Sequence, residues 1–108
     1  DAEALSECYQ EAGDISQRLV ENLKDQILST EDDSANRMAF LEMHQAWEKS
    51  RDADCGFVHD QAGSETQGEI ERDRCLVDRN LARLDQLEAY LCDYYDSAMC
   101  EASVQSKP

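Results

Sequence analysis

Apolar residues recur at helical spacing along most of the chain, and the breaks between these runs divide it into four segments. Residues Ala2 to Ala12 form a short helical candidate carrying Leu5, Cys8 and Ala12. Gly13 offers it a stop, and Asp14, with Gln17 three residues on, offers a cap for the next helix. That second helix is predicted over Ile15 to Leu28, where Ile15, Leu19, Leu23 and Ile27 recur every four residues with Val20 alongside. A polar, acidic turn follows at Ser29 to Asp33. Asp33 or Ser34 then caps a third helix, predicted over Ala35 to Val58. On that helix Phe40, His44, Trp47, Arg51 and Cys55 share one face, bordered by Met43 and Ala46. The segment His59 to Gly68, with Gly63-Ser64 and Gly68, is the one long loop candidate. Thr66 and Glu69 suit a capping box for the last helix, predicted over Gln67 to Met99. Its core face is Leu84, Leu87, Leu91 and Ala98, with Leu81 and Tyr95 beside it, and Glu101 to Pro108 reads as a frayed tail.

Composition agrees with an all-helical reading. The single Pro is the last residue and Gly occurs only four times in 108 residues, so little interrupts a chain rich in Glu, Leu, Ala, Gln and Arg. The expected fold is an antiparallel bundle of three long helices plus a short N-terminal one. It forms a single domain over residues 1–108. No apolar run approaches the ~18 residues a membrane span needs. The start Asp1-Ala2-Glu3, without Met, suits either a mature chain whose leader has been removed or a trimmed one.

Charge narrows the partners. A net charge of −15 opposes nucleic acid and anionic membrane, since the chain lacks the Lys/Arg cluster that neutralises phosphates. It favours faster encounter with basic proteins. Spread over solvated faces, the same acidity also keeps a small domain soluble.

Five Cys with no C-x-x-C spacing point to disulfides in an oxidising compartment, with one thiol left unpaired or bonded to another chain. Cys55 ends one predicted helix and Cys75 lies near the start of the next. Antiparallel packing brings them within bonding reach and closes a loop of 20 residues. A zinc site on Cys55, His59 and Cys75 lacks a fourth ligand. Cys92 and Cys100, eight apart, lie ~12 Å apart on one helix and are too distant to bond. Cys8 is then the better partner for Cys92, with Cys100 free; a break near Ser97 would instead permit Cys92–Cys100.

No catalytic site is legible. His44 sits on an apolar face as a hydrogen-bonded core histidine, and the adjacent His59 and Asp60 do not make a dyad. No local signature surrounds any Ser, Cys or His, and no cofactor or metal is called for. Trp47 and Arg51 are one helical turn apart. The Arg stem is expected to pack on the indole, its guanidinium held by Asp52 or Asp54, with Trp47 largely buried.

These motifs carry a resemblance. Ala46-Trp47, Arg51-Asp52, Cys55, Gly63-Ser64, Cys75 and Arg83 through Leu87 stand in the order and spacing of the LprI-like lysozyme-inhibitor domains, which are small secreted bacterial proteins. The similarity runs from about Phe40 to Leu87. Two departures stand out. His44 replaces the family's Gln before the Trp, and Val20 to Asn22 stand where a second Cys is expected. The resemblance implies a non-enzymatic, periplasmic or secreted helical domain in which Trp47, Arg51, Asp52 and Arg83 are structural. Its implied partner is a basic protein such as lysozyme; the alternative is an accessory or structural envelope domain, monomeric or weakly dimeric, with another partner. If lysozyme is the partner, the projecting loop with His59, Asp60 and Glu65 is the expected contact.

Overall fold

Each helix begins where a short polar side chain can satisfy backbone N–H groups that have no intrahelical acceptor. In the computed structural model, which describes residues 1–95, three such starts give three long helices. Asp1 accepts from the Ala4 N–H at 2.9 Å and opens α1, Ala2–Thr30. Asp33 accepts from the Asn36 N–H at 3.0 Å and opens α2, Ser34–Asp60. Ser64 accepts from the Gln67 N–H at 3.2 Å and opens α3, Glu65–Tyr90. A single π-helical stretch, Leu91–Tyr95, continues α3. No strand occurs among the described residues.

The short N-terminal helix is corrected. Gly13 lies inside α1, which runs unbroken past it, so Asp14 caps nothing. A helical Gly costs only about 1 kcal/mol relative to Ala, which a long, otherwise favourable segment tolerates. The long loop is also corrected. His59 and Asp60 belong to the last turn of α2, and Glu65 and Gly68 belong to α3. Only Gln61 to Ser64 connects the two helices, and Ser64, not Thr66, is the cap. The predicted extension of α3 to Met99 and the frayed tail lie outside the described residues.

The helices run up, down, up. α2 is antiparallel to α3, as Cys55 against Cys75 and His44 against Arg83 require. α1 is parallel to α3. Ser16 meets Asn80, Leu19 and Leu23 meet Leu84, and Glu31 meets Tyr95. α3 packs against both others in a flat molecule, 47 × 34 × 15 Å. The bundle is thus not antiparallel throughout.

Apolar packing concentrates at one end. Val20, Ile27, Phe40, Leu87 and Leu91 form the buried cluster, with Leu23, Leu28, Leu84, Tyr90 and Tyr95 against it. The other end is closed by Ile70 and by the Cys55–Cys75 disulfide, whose Cα atoms lie 5.5 Å apart. Several predicted core residues face water instead. Leu5 is 47%, Ile15 42% and Leu19 45% exposed, and Leu81 is exposed as well. The buried stripe of α1 is Ser16, Val20 and Ile27, rotated from the expected one.

Parallel α1 and α3 also rule out the Cys8–Cys92 pairing. With Ser16 level with Asn80, Cys8 lies near the start of α3 and Cys92 beyond its end, ~30 Å away at helical rise. Cys8 is a free, exposed thiol, and Cys92 is disulfide-bonded elsewhere. Cys100 lies outside the described residues.

Candidate functional site

Between the apolar end and the disulfide lies a layer of buried polar side chains drawn from all three helices. Ser16, His44, Arg51, Asn80 and Arg83 are all buried. Burying such groups is tolerable only when they bond one another. The Ser16 hydroxyl donates to the Gly13 carbonyl at 3.0 Å and accepts from Asn80 Nδ2 at 3.0 Å. Asn80 Oδ1 accepts from Arg51 Nη1 at 3.0 Å, and Gln17 Oε1 accepts from the same nitrogen. Arg51 Nε donates to Asp52 at 3.0 Å. Asp54, the other acid considered for Arg51, pairs instead with Arg79 at 2.9 Å.

Trp47 lies beside this layer with most of its surface covered, and it also packs against the apolar cluster. The Arg51 and Arg83 guanidinium carbons lie 4.9 and 5.0 Å from its ring centroid, both in cation–π range. His44 is its third neighbour, with ring centroids 5.4 Å apart. The Trp47 ring is thus fixed by two cations and an imidazole.

His44 Nδ1 lies 3.1 Å from Arg83 Nη2. A guanidinium only donates, so Nδ1 accepts and Nε2 carries the ring proton. Burial, then the Arg83 charge, lowers the His44 pKa from 6.5 to about 4, and the ring is neutral near pH 7. Nε2 and Arg83 Nε are buried without hydrogen-bond partners. A ring nitrogen of His44 and carboxylate oxygens of Glu21 and Glu48 lie within 4.8 Å of one another. With its proton on Nε2 and its Nδ1 lone pair accepting from Arg83, the neutral imidazole in this tautomer has no free lone pair. Glu21 is also paired with Lys24.

On the disulfide side, an open cleft of about 320 Å³ is lined by Asp14 and Gln17 of α1, Arg51 and Asp52 of α2, and Asp73 and Asn80 of α3. Burial raises the Asp73 pKa; Arg72 opposes this, while Glu69 and Asp14 add to it.

His59, Asp60 and Glu65 come together at the α2–α3 turn. His59 Nδ1 lies 3.1 Å from Asp60 and Nε2 lies 3.2 Å from Glu65, and these two hydrogen bonds raise the His59 pKa. Both carboxylates are 75% exposed. They form a fixed acidic knuckle rather than a projecting loop. The disulfide behind it also removes Cys55 and Cys75 as thiolate ligands for zinc.

Sequence reasoning missed Ser16, Gln17 and Asn80. The signal that could have found Asn80 is its place in the stripe Asn80, Arg83, Leu87 and Leu91, whose helical spacing marks two polar residues as core positions.

The family model described as "Lysozyme inhibitor LprI" matches residues 2–87. No curated protein and no solved structure matches the chain.

Proposed function

Since the chain belongs to the LprI lysozyme-inhibitor family, with residues 2–87 matched, we propose that it is a periplasmic or secreted binding protein that inhibits lysozyme. The family match carries this reading. The charge supports it: at −15 the chain attracts a basic enzyme over long range and speeds their encounter. Its disulfides suit an oxidising compartment outside the cytoplasm. No described helix is long and apolar enough to cross a membrane. The protein acts by binding, not by turnover.

Attraction alone does not block a cleft; a rigid group must sit at its rim. The knuckle of His59, Asp60 and Glu65 has the required chemistry, with exposed carboxylates to meet cationic side chains. The short connection and the Cys55–Cys75 bond behind it limit the ordering cost on binding.

The test is lysozyme turnover at near-physiological salt with the disulfides intact. Inhibition is expected, and Asp60→Ala with Glu65→Ala is expected to weaken it while helicity is unchanged. No inhibition by the parent, even at high concentration and low salt, overturns the inhibitor reading in favour of an accessory envelope domain. Unchanged inhibition by the double variant removes the knuckle as the contact.

A further inference from the structure

His59 has a carboxylate at each ring nitrogen. Nδ1 lies 3.1 Å from Asp60 Oδ1, and Nε2 lies 3.2 Å from Glu65 Oε1. An ionised carboxylate only accepts, and a neutral imidazole has a single N–H to give. Both contacts are hydrogen bonds only when the ring carries both protons. The geometry is therefore that of an imidazolium held between two anions. Its bonds to Asp60, then to Glu65, accordingly hold the His59 pKa above the ordinary 6.5.

The fold builds this arrangement from two helix ends. His59 stands in the last turn of α2, where unpaired backbone carbonyls favour a cation. Glu65 stands in the first turn of α3, where unpaired N–H groups favour an anion. The ring is seated against α3 at Gly68, where a Cβ would come within 3.0 Å of its Cδ2 and 3.1 Å of its Nε2. The charged groups acting on it are Asp60 from its own helix and Glu65 and Arg72 from α3, with Arg72 opposing the two acids.

The carboxylates that hold this ring are also the ones offered to a basic partner. Each gives one oxygen to His59 while its side chain stays 75% exposed. His59 and a partner's Lys or Arg thus compete for the same two anions.

Resting on the inhibitor reading and its contact, we propose that His59 is an internal competitor at that contact: a cation of the chain itself that occupies Asp60 and Glu65 and gives up its proton when a basic protein binds them, so that the complex tightens as pH rises.

In the free chain the two acids favour the protonated ring. In the complex a partner ammonium or guanidinium takes over these acids and adds a like charge beside the ring, which lowers its pKa. Between the lower value in the complex and the raised value in the free chain, the free chain holds more protons, so affinity rises with pH. Above the free value no proton is left to release and the affinity levels. A single proton sets a ceiling of about tenfold per pH unit. His59 loses one H⁺ to solvent, and the carboxylates keep their charge and change partner. The neutral ring keeps one N–H for one acid and frees the other.

The chain has two histidines, and the pKa of the other, His44, lies at about 4, so the ring resonances that titrate at higher pH report His59. The full chain, isotope-labelled, is titrated by NMR alone and saturated with lysozyme. The His59 pKa is expected above 6.5 in the free chain and lower in the complex. Asp60→Asn and Glu65→Gln are each expected to lower it in the free chain. Calorimetry is expected to show lysozyme binding several-fold tighter at about pH 8 than at about pH 6, with proton release read from buffers of different ionisation heat. His59→Gln is expected to bind more tightly than the parent at the lower pH and to lose most of the pH dependence. A histidine that merely touched the partner would weaken binding when removed.

A free-chain His59 that titrates at or below 6.5 overturns the proposal. So does a pKa unmoved in the complex, or a His59→Gln chain that binds more weakly than the parent at the lower pH. Lysozyme that binds at neither pH overturns the inhibitor reading instead. The same NMR titration with tetralysine, which carries the cationic chemistry alone, then decides: a lowered His59 pKa upholds the competition, and an unmoved one overturns it.

Discussion

His44 shows how one residue can make stability depend on pH. In the unfolded chain an imidazole takes its proton near pH 6.5; in the fold, burial and the neighbouring Arg83 lower that to about 4. Between those values the unfolded state binds more protons, so stability rises with pH. The contribution is complete above about pH 6.5 and is lost as pH falls to about 4, where the loss levels at about 3 kcal/mol. Carboxylates titrate over part of the same range, so the informative quantity is the difference between two proteins. His44→Gln, which restores the residue expected at this place in the family, removes the titrating group. Urea midpoints measured from pH 7.5 to 4 are expected to fall more steeply in the parent than in the variant. Parallel slopes would show that His44 is protonated as readily in the fold as outside it.

At the scale of helices, two of the interior glycines, Gly13 and Gly68, predict opposite outcomes for one substitution. A Cβ at Gly13 meets nothing within 4 Å, so Gly13→Ala is expected to stabilise the protein by about 1 kcal/mol, the helix-propensity difference alone. A Cβ at Gly68 would lie 3.0 Å from His59 Cδ2 and 3.0 Å from the His59 carbonyl oxygen, where the last turn of α2 crosses the first turns of α3. A backbone atom cannot swing aside, so Gly68→Ala is expected to cost about 1–2 kcal/mol despite the better propensity. Thermal unfolding of the two variants beside the parent reads both signs. Much of the helix content was legible in the sequence: the start of α2 is written in its cap, Asp33, whereas the sequence points to Thr66 for the start of α3, two residues past its actual cap, Ser64. Phase was not. The Ile15, Leu19, Leu23, Ile27 stripe scored better as a core face than Ser16, Val20, Ile27, because a buried Ser has no hydropathic signature. It is buried only because Asn80, on a distant segment, bonds to it. Gly13 misled for a similar reason: it is a stop signal only where the chain has other cause to stop. The site was half legible. Trp47, Arg51 and Cys55 share a readable face, but their partners Gln17, Asn80 and Arg83 come from elsewhere, and the fold supplies the pairing.

Across the whole molecule, the distribution of apolar packing decides what the Cys55–Cys75 bond is for. The apolar cluster of Val20, Ile27, Phe40, Leu87 and Leu91 holds the end where α1 hands over to α2. Past the polar layer, the α2–α3 end has Ile70 and little other buried apolar area. The bond lies at that weaker end and closes 20 residues of chain, for which the chain-entropy relation gives about 3 kcal/mol. Replacing both residues, Cys55→Ala with Cys75→Ala, leaves the bond at Cys92 intact and isolates this term. The variant is expected to lose about 3 kcal/mol, read from urea midpoints with the slope unchanged. Hydrogen exchange is expected to rise most in the last turns of α2 and the first turns of α3, with amides near Leu87 affected only through global unfolding. Equal exchange gains along all three helices would mean that the two ends unfold together, and that the polar layer couples them as tightly as an apolar core would. Such coupling would make the contacts of Arg51 with Gln17, Asn80 and Asp52 the structural centre of the molecule, and the disulfide an accessory to it.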